Sequence, residues 1–191
     1  MIKSQIKESI IVKEQLLNSP SVISVIDEVS EECIKIFKNS GKILLAGNGG
    51  SAADSQHISA EFVSRFYFDR PGLPSIALTT DTSALLAIGN DYGFEKVFSR
   101  QIEALGNKGD MFIGISTSGN SKNVINALIA ANKKGLTTVG LIGKNGGEME
   151  GLCTFCIKVP SDQTPRIQEA HILIGHIICA IVEDTIFGHL K

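Results

Sequence analysis

The sequence predicts an α/β three-layer sandwich built on a five-stranded parallel sheet and preceded by two N-terminal helices. Three observations predict it. Five short, continuously apolar runs recur along the chain, "ILLAG", "SIALT", "MFIGIST", "TTVGLIG" and "FCIKV", and runs without polar alternation are what strands covered on both faces look like. Helical patterns lie between them, and alternation of strand with helix marks a parallel sheet. Finally, 191 residues suit one domain, since domains commonly run to about 100–200 residues. No repeat, low-complexity tract or linker divides residues 1–191.

From Ile2 to about Ser40, apolar residues recur at three- and four-residue spacing: Ile6, Ile10 and Ile11, then Val22, Ile23, Ile26, Val29, Cys33, Ile36 and Phe37. Asn18-Ser19-Pro20 breaks the pattern, so the segment reads as two amphipathic helices. Further helical patterns cover Ala52 to Phe66, Thr82 to Ile88, Phe94 to Leu105, Asn120 to Lys134, and Arg166 to about Phe187. A bare doubly wound sheet has no need of residues 1–40. Their apolar stripes predict an extension that packs against a partner subunit.

Hydrophobic residues make up 43% of the chain and charged residues 20%, with a formal net charge of −2. That balance gives no reason to expect a nucleic-acid surface. No apolar run approaches the ~20 residues that span a bilayer, and "MIKSQIKESIIVKEQ" is too charged for a secretory signal. These features predict a cytoplasmic protein whose partners are small molecules or further copies of itself. Cys153 and Cys156 form a lone C-x-x-C inside an apolar run. No second Cys or His pair follows to complete a zinc site, so the pair reads as buried strand.

In open parallel sheets, ligands bind beyond the carboxyl ends of the strands. Two turns there are rich in anion-binding groups. Ser116-Thr117-Ser118-Gly119-Asn120-Ser121 offers four hydroxyls before a helix, whose free amides and dipole favour a phosphate. The same residue types are also good helix caps, but four hydroxyls in six residues exceed what capping needs. "GNGGSAADSQ" resembles a dinucleotide fingerprint only loosely. The acidic residue expected ~20 positions on is missing, and no Gly-Lys-Ser/Thr makes it a Walker loop.

His57 and Glu61 stand at i, i+4 on the helix after the glycine turn, where they share a face and could converge on one ligand or metal. The last helix, "RIQEAHILIGHIICAIVED", carries Gln168, His171 and His176 among apolar residues. His171 reads as a core histidine with a hydrogen-bond partner. His176, among Ile174, Ile177 and Ile178, requires a specific partner, because an unpaired buried imidazole costs on the order of 1–3 kcal/mol. His189 reads as exposed.

Taken together, "GNGGSAADSQHISAEF", "RPGLPSIAL", "GNDYGFEKVFSRQIEALGNKGD", "GISTSGNSKNVINAL" and "TPRIQEAHILIGH" closely resemble the phosphoheptose isomerases. These are members of the sugar isomerase (SIS) superfamily, whose sheet is flavodoxin-like. The resemblance covers nearly the whole chain. It implies a cytoplasmic homotetramer that interconverts sedoheptulose 7-phosphate and D-glycero-D-manno-heptose 7-phosphate, the first step toward the heptose of lipopolysaccharide cores or capsules. It places substrate contacts on Asn48, Gly49, Gly50, Ser51, Asn90, Asp91 and Gln168, and phosphate contacts on Ser116, Thr117, Ser118 and Ser121. It places a zinc site on His57, Glu61, Gln168 and His176. Where some members carry an aspartate before Arg-Ile-Gln, this chain has Pro165 after Thr164, so that carboxylate's contact is lost or replaced.

The implied reaction moves a proton between C1 and C2 through an enediol, which needs a base at carbon and charge stabilisation at the oxygens. Glu61 is the expected base, also touching substrate, and His176 the expected acid. Zinc on the same residues would polarise the carbonyl, and a carboxylate on the metal is a less free base. On one straight helix Gln168 and His176 are separated by about 12 Å and 80°. Either the Gln168 side chain reaches in, or the site draws on two subunits; active sites at subunit interfaces are expected. The alternative function is a non-catalytic tetramer of the same fold that binds the replication initiator DnaA. A third reading, a sugar-phosphate sensor, would need a DNA-binding module that this sequence lacks.

Overall fold

The computed structural model describes residues 1–191. Helices α1 (Ile2–Leu17) and α2 (Pro20–Lys38) come first. The break between them follows from Pro20, which has no amide to donate and is tolerated only in a helix's first turn. Five strands follow: β1 (Ile43–Gly47), β2 (Ser75–Ala77), β3 (Met111–Ser116), β4 (Thr137–Ile142) and β5 (Phe155–Lys158). They form one parallel sheet in the order β2-β1-β3-β4-β5. Each apolar run in the sequence is a strand.

The helices between them are α3 (Gly50–Val63), α4 (Thr82–Tyr92), α5 (Ser99–Leu105), α6 (Lys122–Lys134) and α7 (Thr164–Phe187). All five differ in a boundary from the sequence reading: α4 runs on to Tyr92 rather than ending at Ile88, and α7 starts at Thr164 rather than Arg166. α3 starts directly out of the glycine turn and stops at Ser64 rather than Phe66. The stretch from Phe94 is a 3-10 turn over Phe94–Lys96 followed by the short α5. α6 begins at Lys122, with Ser121 as its cap position.

Side-chain alternation on the strands splits the core in two. Ile43, Leu45, Ile113, Ile115 and Leu141 face α1, α2, α3 and α7. Leu44, Ala46, Phe112 and Ile142 face α5 and α6. Thr164–Leu190, with a mean hydropathy of 1.6 over its most apolar 18 residues, is long and apolar enough to cross a membrane, a property that scanning for unbroken apolar runs misses. Ile167, Ala170, Ile174, Ile178 and Val182 instead pack into the core of this domain.

Candidate active site

The turns after β1 and β3 lie side by side where the strand order reverses, the usual ligand position in such sheets. In the first turn, a Cβ added at Gly50 would meet the end of the Gln168 side chain and displace it. The Gln168 amide therefore lies directly on the glycine turn. Ser51, in the first turn of α3, is buried.

In the second turn, Ser116 Oγ lies 2.9 Å from Ser121 Oγ and 3.4 Å from Ser118 Oγ, and the Asn120 amide donates to Ser118 Oγ at 3.1 Å. Gly119 holds this turn together with φ +66, a conformation that disfavours side chains. The start of α6 leaves its first amides without intrahelical partners beside these hydroxyls. A cavity of about 280 Å³ opens beside Thr117, Ser118 and Asn120, with Lys144, Asn145 and Ser161 also lining it. Lys144 and Asn145 belong to "GKNGG", which the sequence reading passed over. A lysine among glycines right after a strand was the signal available.

The two turns are joined. Asn48 Nδ2 donates to Asn123 Oδ1 at 2.8 Å, and Asn123 Nδ2 donates back to Asn48 Oδ1 at 2.9 Å. Asn123 is buried and, as an unremarkable helix residue in the sequence, was not singled out.

The reactive side chains stand further along α3 and α7. Gly175 lets the two helices approach, since a Cβ there would fall 2.5 Å from Ile58 Cδ1. His57 Nε2 lies 2.9 Å from His176 Nε2 and 3.3 Å from Glu61 Oε1. One ligand atom from each of His57, Glu61 and His176 falls within 4.8 Å of the others. His176 is half-buried rather than enclosed, with Ile177 beside it exposed, and the group it meets is His57. The Phe66 ring also packs on His176, with centroids 5.5 Å apart. Gln168 does not join this group within the chain: it sits on the glycine turn, about 12 Å of helix rise from His176.

Asn90 and Asp91 are exposed in the last turn of α4, where Asn90 Nδ2 donates to Asp91 Oδ1 at 2.8 Å. α4 buries none of its residues. Asp54, which the sequence reading did not select, has a buried Oδ2 with no hydrogen-bond partner. Burial pushes its carboxyl up to about 6, with His57 opposing the shift. His171 is fully buried with Nε2 3.3 Å from the Ile142 carbonyl and Nδ1 unpartnered. Burial pushes it down to about 4 despite that carbonyl. His189 is exposed. Cys153 and Cys156 are free, half-buried thiols rather than buried strand: Cys153 ends the turn before β5, and Cys156 lies on β5 at the edge of the sheet.

Two imidazoles and a carboxylate match the donor set of a catalytic zinc site, which takes three protein ligands and keeps one position open. Sheet order, paired turns and this cluster define a sugar-isomerase-type α/β protein, and the SIS domain family profile matches residues 15–143. The chain is 64% identical to the phosphoheptose isomerase of Aneurinibacillus thermoaerophilus over 97% of its own length and 94% of that protein's. It is 65% identical to phosphoheptose isomerase 2 of Campylobacter jejuni, covering 98% and 93%. The structure of the Neisseria gonorrhoeae phosphoheptose isomerase superposes with a TM-score of 0.90 at 42% identity, covering 96% and 97%. The chain belongs to the SIS domain family and, within it, to the phosphoheptose isomerases. These relatives extend through α7, beyond the profile match, and their names support the isomerase reading over the initiator-binding one.

Proposed function

We propose that this protein interconverts sedoheptulose 7-phosphate and D-glycero-D-manno-heptose 7-phosphate, an aldose–ketose isomerisation on the route to the heptose of lipopolysaccharide or capsule. The observation that carries this reading is the convergence of His57, Glu61 and His176 from two helices. Both helices begin at the sheet end that holds the two turns. About 10 Å of helix separates Gly50 from His57, the length scale of an extended seven-carbon sugar phosphate.

Ser116, Thr117, Ser118 and Ser121 take the phosphate through hydroxyls and free helix amides. Asn48, Gly49, Gly50, Ser51 and Gln168 border the sugar, with Asn90 and Asp91 contributing from an exposed edge. Glu61 removes the C1 proton of the ketose and returns it to C2. His176 gives a proton to the C2 oxygen and receives the one leaving the C1 hydroxyl, so protons balance across the enediol. His57 Nε2 lies between the two groups, 2.9 Å from His176 Nε2 and 3.3 Å from Glu61 Oε1. His57, Glu61 and His176 would hold zinc, which when bound supplies a Lewis acid to the carbonyl end. Gln168 would reach such an ion only from a neighbouring copy.

The working form is a cytoplasmic homotetramer with sites at subunit interfaces, and residues 1–40 serve the assembly. Supporting this, Ile2, Ile6 and Ile10 of α1 stand exposed. An apolar trough of about 290 Å³ runs between Leu16, Leu17, Ile23, Leu173 and Ile177, the last adjoining His176. Incubating the purified protein with sedoheptulose 7-phosphate and following the aldose tests the reading. No aldose above the uncatalysed background would reject it.

A further inference from the structure

We infer that the buried Arg70–Glu183 ion pair positions the reacting groups, fastening the end of α3 and the turn after it onto α7 so that Glu61 and His176 are held in relation to each other; this rests on the isomerase reading. The two side chains are each 1% exposed, with Arg70 Nε 3.1 Å from Glu183 Oε1. Neither touches the cluster directly, and both reach it through main chain.

Arg70 works on α3. One terminal nitrogen donates to the Phe62 carbonyl at 2.6 Å and the other to the Glu61 carbonyl at 2.8 Å. The last carbonyls of a helix have no intrahelical donors. Arg70 supplies them at the very residue proposed as the base.

Glu183 works on the following turn. Its carboxylate accepts the Phe66 amide at 2.8 Å and the Tyr67 amide at 2.7 Å, which seats the Phe66 ring on His176. Burial alone would raise the Glu183 carboxyl, but these two amides and the guanidinium outweigh it and hold it below the usual range. Glu183 stands seven residues after His176, two turns on and nearly on the same helix face. That face presents acid and anchor together.

A buried ion pair is weak evidence for stability, because apolar replacements are often neutral or stabilising. A positioning role predicts a signature that a general loss of stability does not. In Glu183→Gln, which has one acceptor oxygen where three donors converge, kcat should fall by roughly tenfold to a hundredfold with KM within about twofold. Arg70→Lys keeps a charge near Glu183 but loses the fork to the two carbonyls, and should fall between wild type and Glu183→Gln.

The chain has four histidines, few enough for their ring signals to be assigned by carbon–proton correlation spectra. In both variants the His176 signal should move toward its position in Phe66→Leu, while His171 stays put. Wild-type kcat in folded Glu183→Gln, a loss carried wholly by KM, or an unmoved His176 signal would each overturn the inference. If Glu183→Gln does not fold, Arg70→Lys is read by the same criteria. Should the wild type itself fail to isomerise the sugar phosphate, the functional reading falls, and the ring signals still decide whether the pair positions His176.

Discussion

Asn48 and Asn123 exchange two hydrogen bonds, at 2.8 and 2.9 Å, across the gap between the turn after β1 and the first turn of α6. The pair makes one rigid floor of two loops that arise far apart in the chain. It also leaves the Asn48 side chain engaged, so the substrate must meet that loop mainly through its backbone.

Asn123→Ala therefore tests whether the floor matters. It leaves the Asn48 amide without its partner, at a cost of about 1–3 kcal/mol, and frees the glycine turn relative to the hydroxyl turn. Thermal unfolding should show the lower stability and steady-state kinetics a raised KM. Wild-type values for both would mean that the two turns hold their places without the pair.

The chemistry itself depends on Glu61 and His176. Glu61→Gln and His176→Ala should each lower kcat by roughly 10²- to 10⁴-fold while circular dichroism stays that of the wild type. Retention of more than about a tenth of the activity in either folded variant would remove that residue from the mechanism.

Zinc should bind once per chain in calorimetric titration of chelator-treated protein, with His57→Ala reducing the affinity sharply. The donors sit within 4.8 Å of one another without rearrangement. Equal zinc binding by wild type and His57→Ala would place any metal elsewhere.

Acid should destabilise the fold partly through His171. Its folded value is pushed down to about 4 from an ordinary 6.5, so the unfolded chain takes up a proton first as the pH falls. The stability present above 6.5 is lost progressively toward 4, on the order of 3 kcal/mol in all. Asp54, raised to about 6, acts the other way between 6 and 4 and softens the net loss. Denaturant titrations across this range should show that His171→Gln lacks the histidine part of the decline. An identical pH slope in variant and wild type would contradict it.

Ile6→Glu and Ile10→Glu place charge on the exposed stripe of α1, whose buried residues are only Val12 and Leu16. Sedimentation should report smaller species, and activity should fall with assembly. A fully active monomer would show that each chain carries a complete site.

Strand and helix order was legible in the sequence because it rests on local apolar patterns, and five runs became five strands. Candidate residues beside those runs, such as the serines after β3, could be found by position alone. What the sequence hid was set by tertiary contacts. Asn123 is an ordinary helical polar residue until its partner is seen, and "GKNGG" after β4 marks a loop but not which site it lines. Arg70 and Glu183, 113 residues apart, carry no local mark at all. Gln168 was grouped with the cluster by resemblance, whereas the parallel alignment of α3 and α7 seats it at the glycine turn.

The two imidazoles that meet at 2.9 Å are separated by 119 residues of chain. Closing so long a loop is entropically costly until the intervening sheet exists to shorten it. A polypeptide emerging from the ribosome would thus complete its sheet and both anion-holding turns while still inert, and acquire reactivity only when its last long helix docks. Because that helix also carries Ile167, Ala170, Ile174, Ile178 and Val182 of the core, heating should abolish activity and unfold the domain in one transition.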